Sequence, residues 1–153
     1  TVAPTPTVIE RELREEVGLT ASDGTLRCLG VFEDLDPDSH LNPALFSVLE
    51  TDLSPATVRE RASDAPDVDE FTDLAFLSID ASTLSALVTL GLDPDRADEV
   101  VADLPLPAVG QLSHKTLLMV LLLGRWLVGD DWFTDHWAQS PALSFTDDSS
   151  GGD

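Results

Sequence analysis

The chain has 153 residues, 42% of them hydrophobic, and sets 29 Asp and Glu against 8 Lys and Arg for a formal net charge of -21. This length and apolar content suit a domain with a real core and exclude a disordered acidic tail. The charge argues against nucleic-acid binding, which needs a basic face. With Cys28 as the sole cysteine there is no disulfide framework, so a cytoplasmic setting is expected.

Residues 1–7 are a Thr/Pro-rich lead-in. The stretch after them is read as a helix over 8–17. Ile9, Leu13 and Val17 recur every fourth residue, so they can share a core-facing row. Glu12, Glu15 and Glu16 have the three-and-four spacing that puts three carboxylates on one outward side. Glu10–Arg14 and Arg11–Glu15 are oppositely charged i, i+4 pairs, each worth about 0.2–0.5 kcal/mol on an exposed helix. Gly18 is expected to end the helix in a left-handed conformation. Thr5 or Thr7 can cap its start, and Pro6 fits its first turn. A solvated, salt-bridged face accounts for such a charge run by itself. Three neighbouring carboxylates nevertheless repel one another, and a hard divalent cation with oxygen ligands, Mg²⁺ or Mn²⁺, relieves that repulsion.

Further along, 26–33 and 44–52 read as strands, joined by the turn chemistry of Asp34–Pro43. Ser54 or Asp52 can cap a short helix near 56–62. Residues 71–78, with consecutive apolar positions, read as a strand covered on both faces. Ser82–Leu90 reads as a helix ended by Gly91, and Asp95–Leu104 as another, stopped by Pro105 and Pro107. Leu117–Val128 is a strongly apolar helix, too short for the roughly 20 residues a membrane span needs. Residues 130–153 read as an aromatic, then acidic, C-terminal tail. Cys28 is expected to be a buried small hydrophobe in its strand.

The run Arg11, Glu12, Leu13, Glu15, Glu16, Gly18 and Leu19 resembles the second half of the Nudix hydrolase box, G-x5-E-x7-R-E-U-x-E-E-x-G-U with U aliphatic. All seven specified positions match at the right spacing. Ala3 stands where the first Glu of the box falls, and its Gly position precedes residue 1. The resemblance therefore implies either that the N-terminal strands of the family fold lie outside this chain or that the segment before the helix has diverged. Later segments look like the ADP-ribose and nucleoside-diphosphate-sugar pyrophosphatase branch. They are Leu26–Glu33, Ala44–Leu53, Phe71–Asp80 and the S-H-K-T-L of Ser113–Leu117.

The resemblance implies an α/β (α+β) fold, an α/β/α sandwich around a mixed sheet. Residues 1–129 would form a partial Nudix domain, with the box helix at 8–18 and an insertion at 91–110. It implies hydrolysis of a nucleoside diphosphate linked to another moiety. Glu12, Glu15 and Glu16 would bind Mg²⁺ or Mn²⁺, Arg11 would orient the acids, and Glu16, Glu15 or Glu70 would serve catalysis. Partners would be the nucleoside diphosphate substrate and a second copy in a homodimer, with no nucleic acid and no membrane. Two rivals stand beside it: a catalytically inactive Nudix-like nucleotide-binding or regulatory module, and an acidic interaction protein in which the box match is coincidence.

Other candidate groups read more plainly. His40, His114 and His136 are too scattered for a zinc site. Ser113 is better taken as a helix cap than as a nucleophile beside His114. Trp126, Trp132 and Trp137 suit packing or an oligomer contact better than a base platform. Phe32 and Phe46 read as core, and Glu33 and Glu50 as solvated strand ends. The acids are spread along the whole chain. They indicate a halophilic source, where molar salt screens self-repulsion over about 3 Å; the alternative is a surface for a basic partner.

Overall fold

Thirteen residues, Thr5–Val17, form helix α1, and the backbone at Gly18 turns left-handed with φ 66°. The computed structural model describes residues 5–32, 44–70, 74–96, 99, 104 and 112–140. The chain divides into two compact units, Thr1–Phe76 and Leu77–Asp153. Among the described residues the architecture is α+β, helices with one small sheet.

In the first unit, a 3-10 turn at Ala21–Asp23 leads from α1 into strand β1 (Thr25–Phe32), which pairs antiparallel with β2 (Ala44–Glu50). Thr25 lies opposite Glu50 and Phe32 opposite Ala44, and the register shifts between Cys28 and Gly30. Such an irregularity kinks and twists a strand locally. Cys28 is exposed beside it, not buried as its strand setting suggested. A two-stranded sheet covers fewer side chains than the mixed sheet expected, which leaves this position open to water. Helix α2 (Pro55–Ser63) starts at Ser54, whose Oγ accepts from Thr57 N at 3.2 Å, with Pro55 in the first turn. Leu19, Phe46, Ala62 and Ala65 are the buried apolar side chains here.

The strand expected at 71–78 is not formed over residues 74–78, which carry no regular hydrogen bonding; 71–73 lie outside the described residues. Side-chain anchors hold this segment instead. Arg59 donates to the Leu74 carbonyl at 3.1 Å, and its guanidinium lies 4.8 Å from the centre of the Phe76 ring.

The second unit is helical among its described residues. Helix α3 (Ala81–Leu92) is capped by Asp80, which accepts from Thr83 N at 2.8 Å. It runs through Gly91 instead of stopping there, because that glycine lies against Leu117, where an added Cβ would stand 3.0 Å from the Leu117 side chain. Helix α4 (His114–Leu127) is capped by Ser113 Oγ, 3.1 Å from Thr116 N. Helix α5 (Asp130–Ala138) occupies the first part of the expected tail. Leu84, Val88, Leu117, Val120 and Leu121 form the core, and Trp132, Phe133 and Trp137 of α5 pack against it. Trp132 Nε1 also donates to Ser85 Oγ at 3.1 Å. Aromatic burial of this size explains why the segment is a helix and not a solvated tail. Most of the expected insertion at 91–110 lies outside the described residues; Pro94–Arg96 within it is a 3-10 turn. No helix among the described residues is long and apolar enough to cross a membrane.

Candidate functional site

The box residues sit on one continuous helix with a defined stop. A Cβ at Gly18 would lie 2.4 Å from the Arg61 carbonyl oxygen, so the end of α1 rests directly on the backbone of α2. Leu19 N donates to Leu13 O at 3.1 Å, and Asp67 N donates to Glu15 O at 2.8 Å. The second bond satisfies a carbonyl that the helix end leaves open, and the first ties the residue after the stop back to the helix. Leu19 is buried at 6% exposure, while Ile9, Leu13 and Val17 are half-buried.

A polar knot locks this junction from the other side. The Asp23 carboxylate accepts from Thr20 N at 2.8 Å and from Thr20 Oγ1 at 2.9 Å. It also accepts from Arg61 NH1 at 2.6 Å, and Thr51 Oγ1 donates to Asp23 O at 2.7 Å. The Arg61 hydrogen bond, followed by those from Thr20, holds the Asp23 carboxyl below the usual carboxylate range. The segment after the helix stop, the residue after β2 and α2 are thus tied through one residue, Asp23, by its carboxylate and its backbone carbonyl. Sequence spacing alone does not mark this group. Its one local signal is the T-x-x-D of Thr20–Asp23, a capping-box pattern; Arg61 and Thr51 are far along the chain.

Glu12, Glu15 and Glu16 are all half-buried on α1. Arg11 reaches Glu12 at 2.5 Å and Glu15 at 3.5 Å, so the i, i+4 pair is present. Glu12, by hydrogen bond and charge, and then Glu15 hold the Arg11 guanidinium above its usual range. Arg14 meets Glu15 at 3.5 Å and not Glu10. Arg11 thus bridges two of the three acids. The arrangement is not a cation site as it stands: among the described residues no group of three or more His, Cys, Asp or Glu is placed to hold a metal. The donor set is all carboxylate oxygen, which suits Mg²⁺ or Mn²⁺ by type. Two of the three carboxylates are turned to arginine, so their positions do not fit an ion.

The remaining candidates are dispersed. Glu70 ends a 3-10 turn at Val68–Glu70, and its side chain lies outside the described residues, as do Glu33 and His40. Glu50 is engaged by Arg27 across the β1–β2 ladder. His114 is exposed at the first turn of α4. His136 stacks on Trp132 with ring centres 4.1 Å apart, and its Nδ1 lies 2.8 Å from the Trp132 carbonyl oxygen. Phe46 is buried, as its core reading requires. Comparison of the chain with protein-family models, with curated proteins and with solved structures finds no match.

Proposed function

We propose that the chain carries the box helix of a Nudix-type pyrophosphohydrolase, which hydrolyses a nucleoside diphosphate linked to another moiety, of the ADP-ribose or nucleotide-sugar kind. One observation carries the reading. The box residues Arg11–Leu19 lie on a helix, a left-handed glycine stop and a buried aliphatic residue, each at the position where the motif asks for it. A coincidental charge run requires neither a glycine at φ 66° nor a buried residue directly after it.

On this reading the fold is the family's α/β/α sandwich, with β1 and β2 part of its sheet. Glu12, Glu15 and Glu16 are assigned to Mg²⁺ or Mn²⁺, Arg11 to orienting them, and Glu16 or Glu70 to accepting the proton of the attacking water. Glu12 and Glu15 are paired with Arg11 and Arg14, and each would have to leave its arginine to hold an ion. The same pairing favours the rival reading, a Nudix-like module that binds a nucleotide without consuming it.

The deciding measurement is phosphate-ester release from ADP-ribose and nucleotide sugars in molar KCl with Mg²⁺ or Mn²⁺. Turnover that falls by about 10² or more in Glu16→Gln, with far-UV dichroism unchanged, is the expected result. Turnover equal in the two proteins rejects the catalytic assignment. Saturable nucleotide binding without turnover selects the binding module.

A further inference from the structure

Arg14 is the least engaged of the described arginines. Arg11 meets Glu12 at 2.5 Å, Arg61 meets Asp23 at 2.6 Å, Arg125 meets Asp130 at 2.6 Å and Arg96 meets Glu99 at 3.2 Å. Arg27 is paired with Glu50, and Arg59 donates to the Leu74 carbonyl. Arg14 reaches Glu15 only at 3.5 Å, and its side chain is 63% exposed. In a chain with 29 acids and 8 bases, a guanidinium held this loosely is not explained by charge balance.

Its surroundings account for it. Arg14 lines a concavity of about 480 Å³ whose other described walls are Val8, Glu10, Arg11 and Thr20. Small-molecule sites span roughly 300–1,000 Å³, so the space exceeds what one phosphate group needs. Arg11 and Arg14 are three residues apart and are neighbours on one side of α1. Both arginines line the one concavity, and a planar guanidinium matches the tetrahedral oxygens of a phosphate as well as it matches a carboxylate, so Arg14, and Arg11 once it turns from Glu12, can take a phosphate there. Glu15 sits at the border of this side and touches both arginines at 3.5 Å.

We infer that this concavity is an anion subsite: Arg14 and Arg11 take the terminal phosphate of a phosphorylated small molecule, whose remainder fills the space along Val8 and Thr20. Glu15 is the internal rival for Arg14 in the absence of that phosphate, and Glu12, with Glu15 behind it, is the rival for Arg11. The exchange favours the ligand. An exposed carboxylate–arginine pair contributes little, whereas a forked guanidinium–phosphate contact is among the stronger hydrogen-bonded pairs. Glu10 and the overall negative charge oppose binding. Molar salt confines that opposition to about 3 Å, while contact-distance bonds persist. The ligand class rests on the pyrophosphohydrolase reading; the two-arginine contact requires no metal and no turnover.

The test is a ³¹P NMR titration of the whole 153-residue chain in 1 M KCl without divalent cations, with ADP and orthophosphate as probes. ADP should bind saturably and roughly tenfold more tightly than orthophosphate, and Arg14→Gln should weaken ADP roughly tenfold. Glu15→Gln should tighten ADP severalfold, since it frees Arg14 and removes one of the two carboxylates that hold Arg11. The same charge changes made in the other unit, Arg96→Gln and Glu99→Gln, should leave it within about twofold. Far-UV dichroism confirms that each variant is folded. The inference is overturned by ADP that does not saturate, by orthophosphate binding as tightly as ADP, by Arg14→Gln and Arg96→Gln weakening ADP equally, or by Glu15→Gln weakening it. Arg14-dependent ADP binding in a chain without turnover sinks the hydrolase reading alone. Turnover with ADP binding indifferent to Arg14 sinks the subsite alone.

Discussion

At Gly18 two separate demands meet. The backbone is at φ 66°, where a side chain costs about 1–2 kcal/mol, and an added Cβ would press the Arg61 carbonyl oxygen at 2.4 Å. That neighbour is backbone and cannot swing aside. Gly18→Ala should therefore destabilise by about 2–3 kcal/mol, read as a lowered urea midpoint at unchanged slope. A midpoint equal to that of the parent chain would mean that the helix stop is looser than described. Asp23 supplies a pH test. Its folded carboxyl titrates below the unfolded value of about 3.9, so its contribution is complete above that value. It drains away as pH falls through the lower, folded value. The stability gap between the parent chain and Asp23→Asn should hence be constant from pH 7 to 5 and should close below about pH 3.9. The comparison with Asp23→Asn removes the opposite trend from the other acids, whose protonation relieves repulsion. A gap that widens in acid contradicts the Arg61–Asp23 assignment.

Among the elements, what the sequence made legible was local. Gly18 as a stop, and Ser54 and Ser113 as caps, are each decided within four residues, and the structure has them. The β1–β2 pair followed from two β-rich runs flanking a turn-forming segment, and the box helix from its apolar row. What escaped depends on partners distant in the chain. Gly91 reads as a helix end until Leu117 lies against it. Residues 74–78 read as a strand, yet Arg59 holds Leu74 and Phe76 without a ladder. Cys28 reads as buried, yet it is exposed in a sheet that has two strands among the described residues. In the candidate site, the spacing gave the row of acids but not which arginine each would meet, since Arg11 and Arg14 each reach more than one carboxylate by rotamer choice. Helix α5 is the largest such case, and it carries its own prediction. A Cβ at Gly124 would stand 2.0 Å from the Trp132 ring, so the glycine is the seat of that indole. Gly124→Ala should displace Trp132, break its bond to Ser85 and cost about 1–3 kcal/mol by overpacking. Tryptophan emission in the folded state should shift to the red as the ring meets water. If stability and emission both stay as in the parent chain, α5 does not pack on α4 through this contact.

For the whole molecule the governing quantity is charge. Were every Lys and Arg paired one-to-one with an acid, 29 less 8 would still leave 21 acids without a basic partner. Their mutual repulsion acts over about 30 Å at 0.01 M salt and about 3 Å at 1 M. Added salt also weakens attraction, but the pairs at stake are few and partly exposed, such as Arg11–Glu12 and Arg125–Asp130. Surface pairs of that kind contribute about 0–1 kcal/mol each. Repulsion summed over the excess acids outweighs them, and the folded state, being compact, suffers it more than the extended chain does. The melting temperature should thus climb by several degrees between about 0.01 M and 1 M KCl, with NaCl equivalent because screening does not distinguish the cations. Replacing the exposed Asp64, Asp69 and Asp135 with Asn should raise the melting temperature in dilute salt and shrink the gain on adding KCl. That second arm separates screening from a general salting-out of apolar surface, which the three substitutions would leave untouched. A melting temperature that is flat or falling with KCl would show that the acidic excess serves something other than tolerance of salt, and a basic protein partner would then become the reading to pursue.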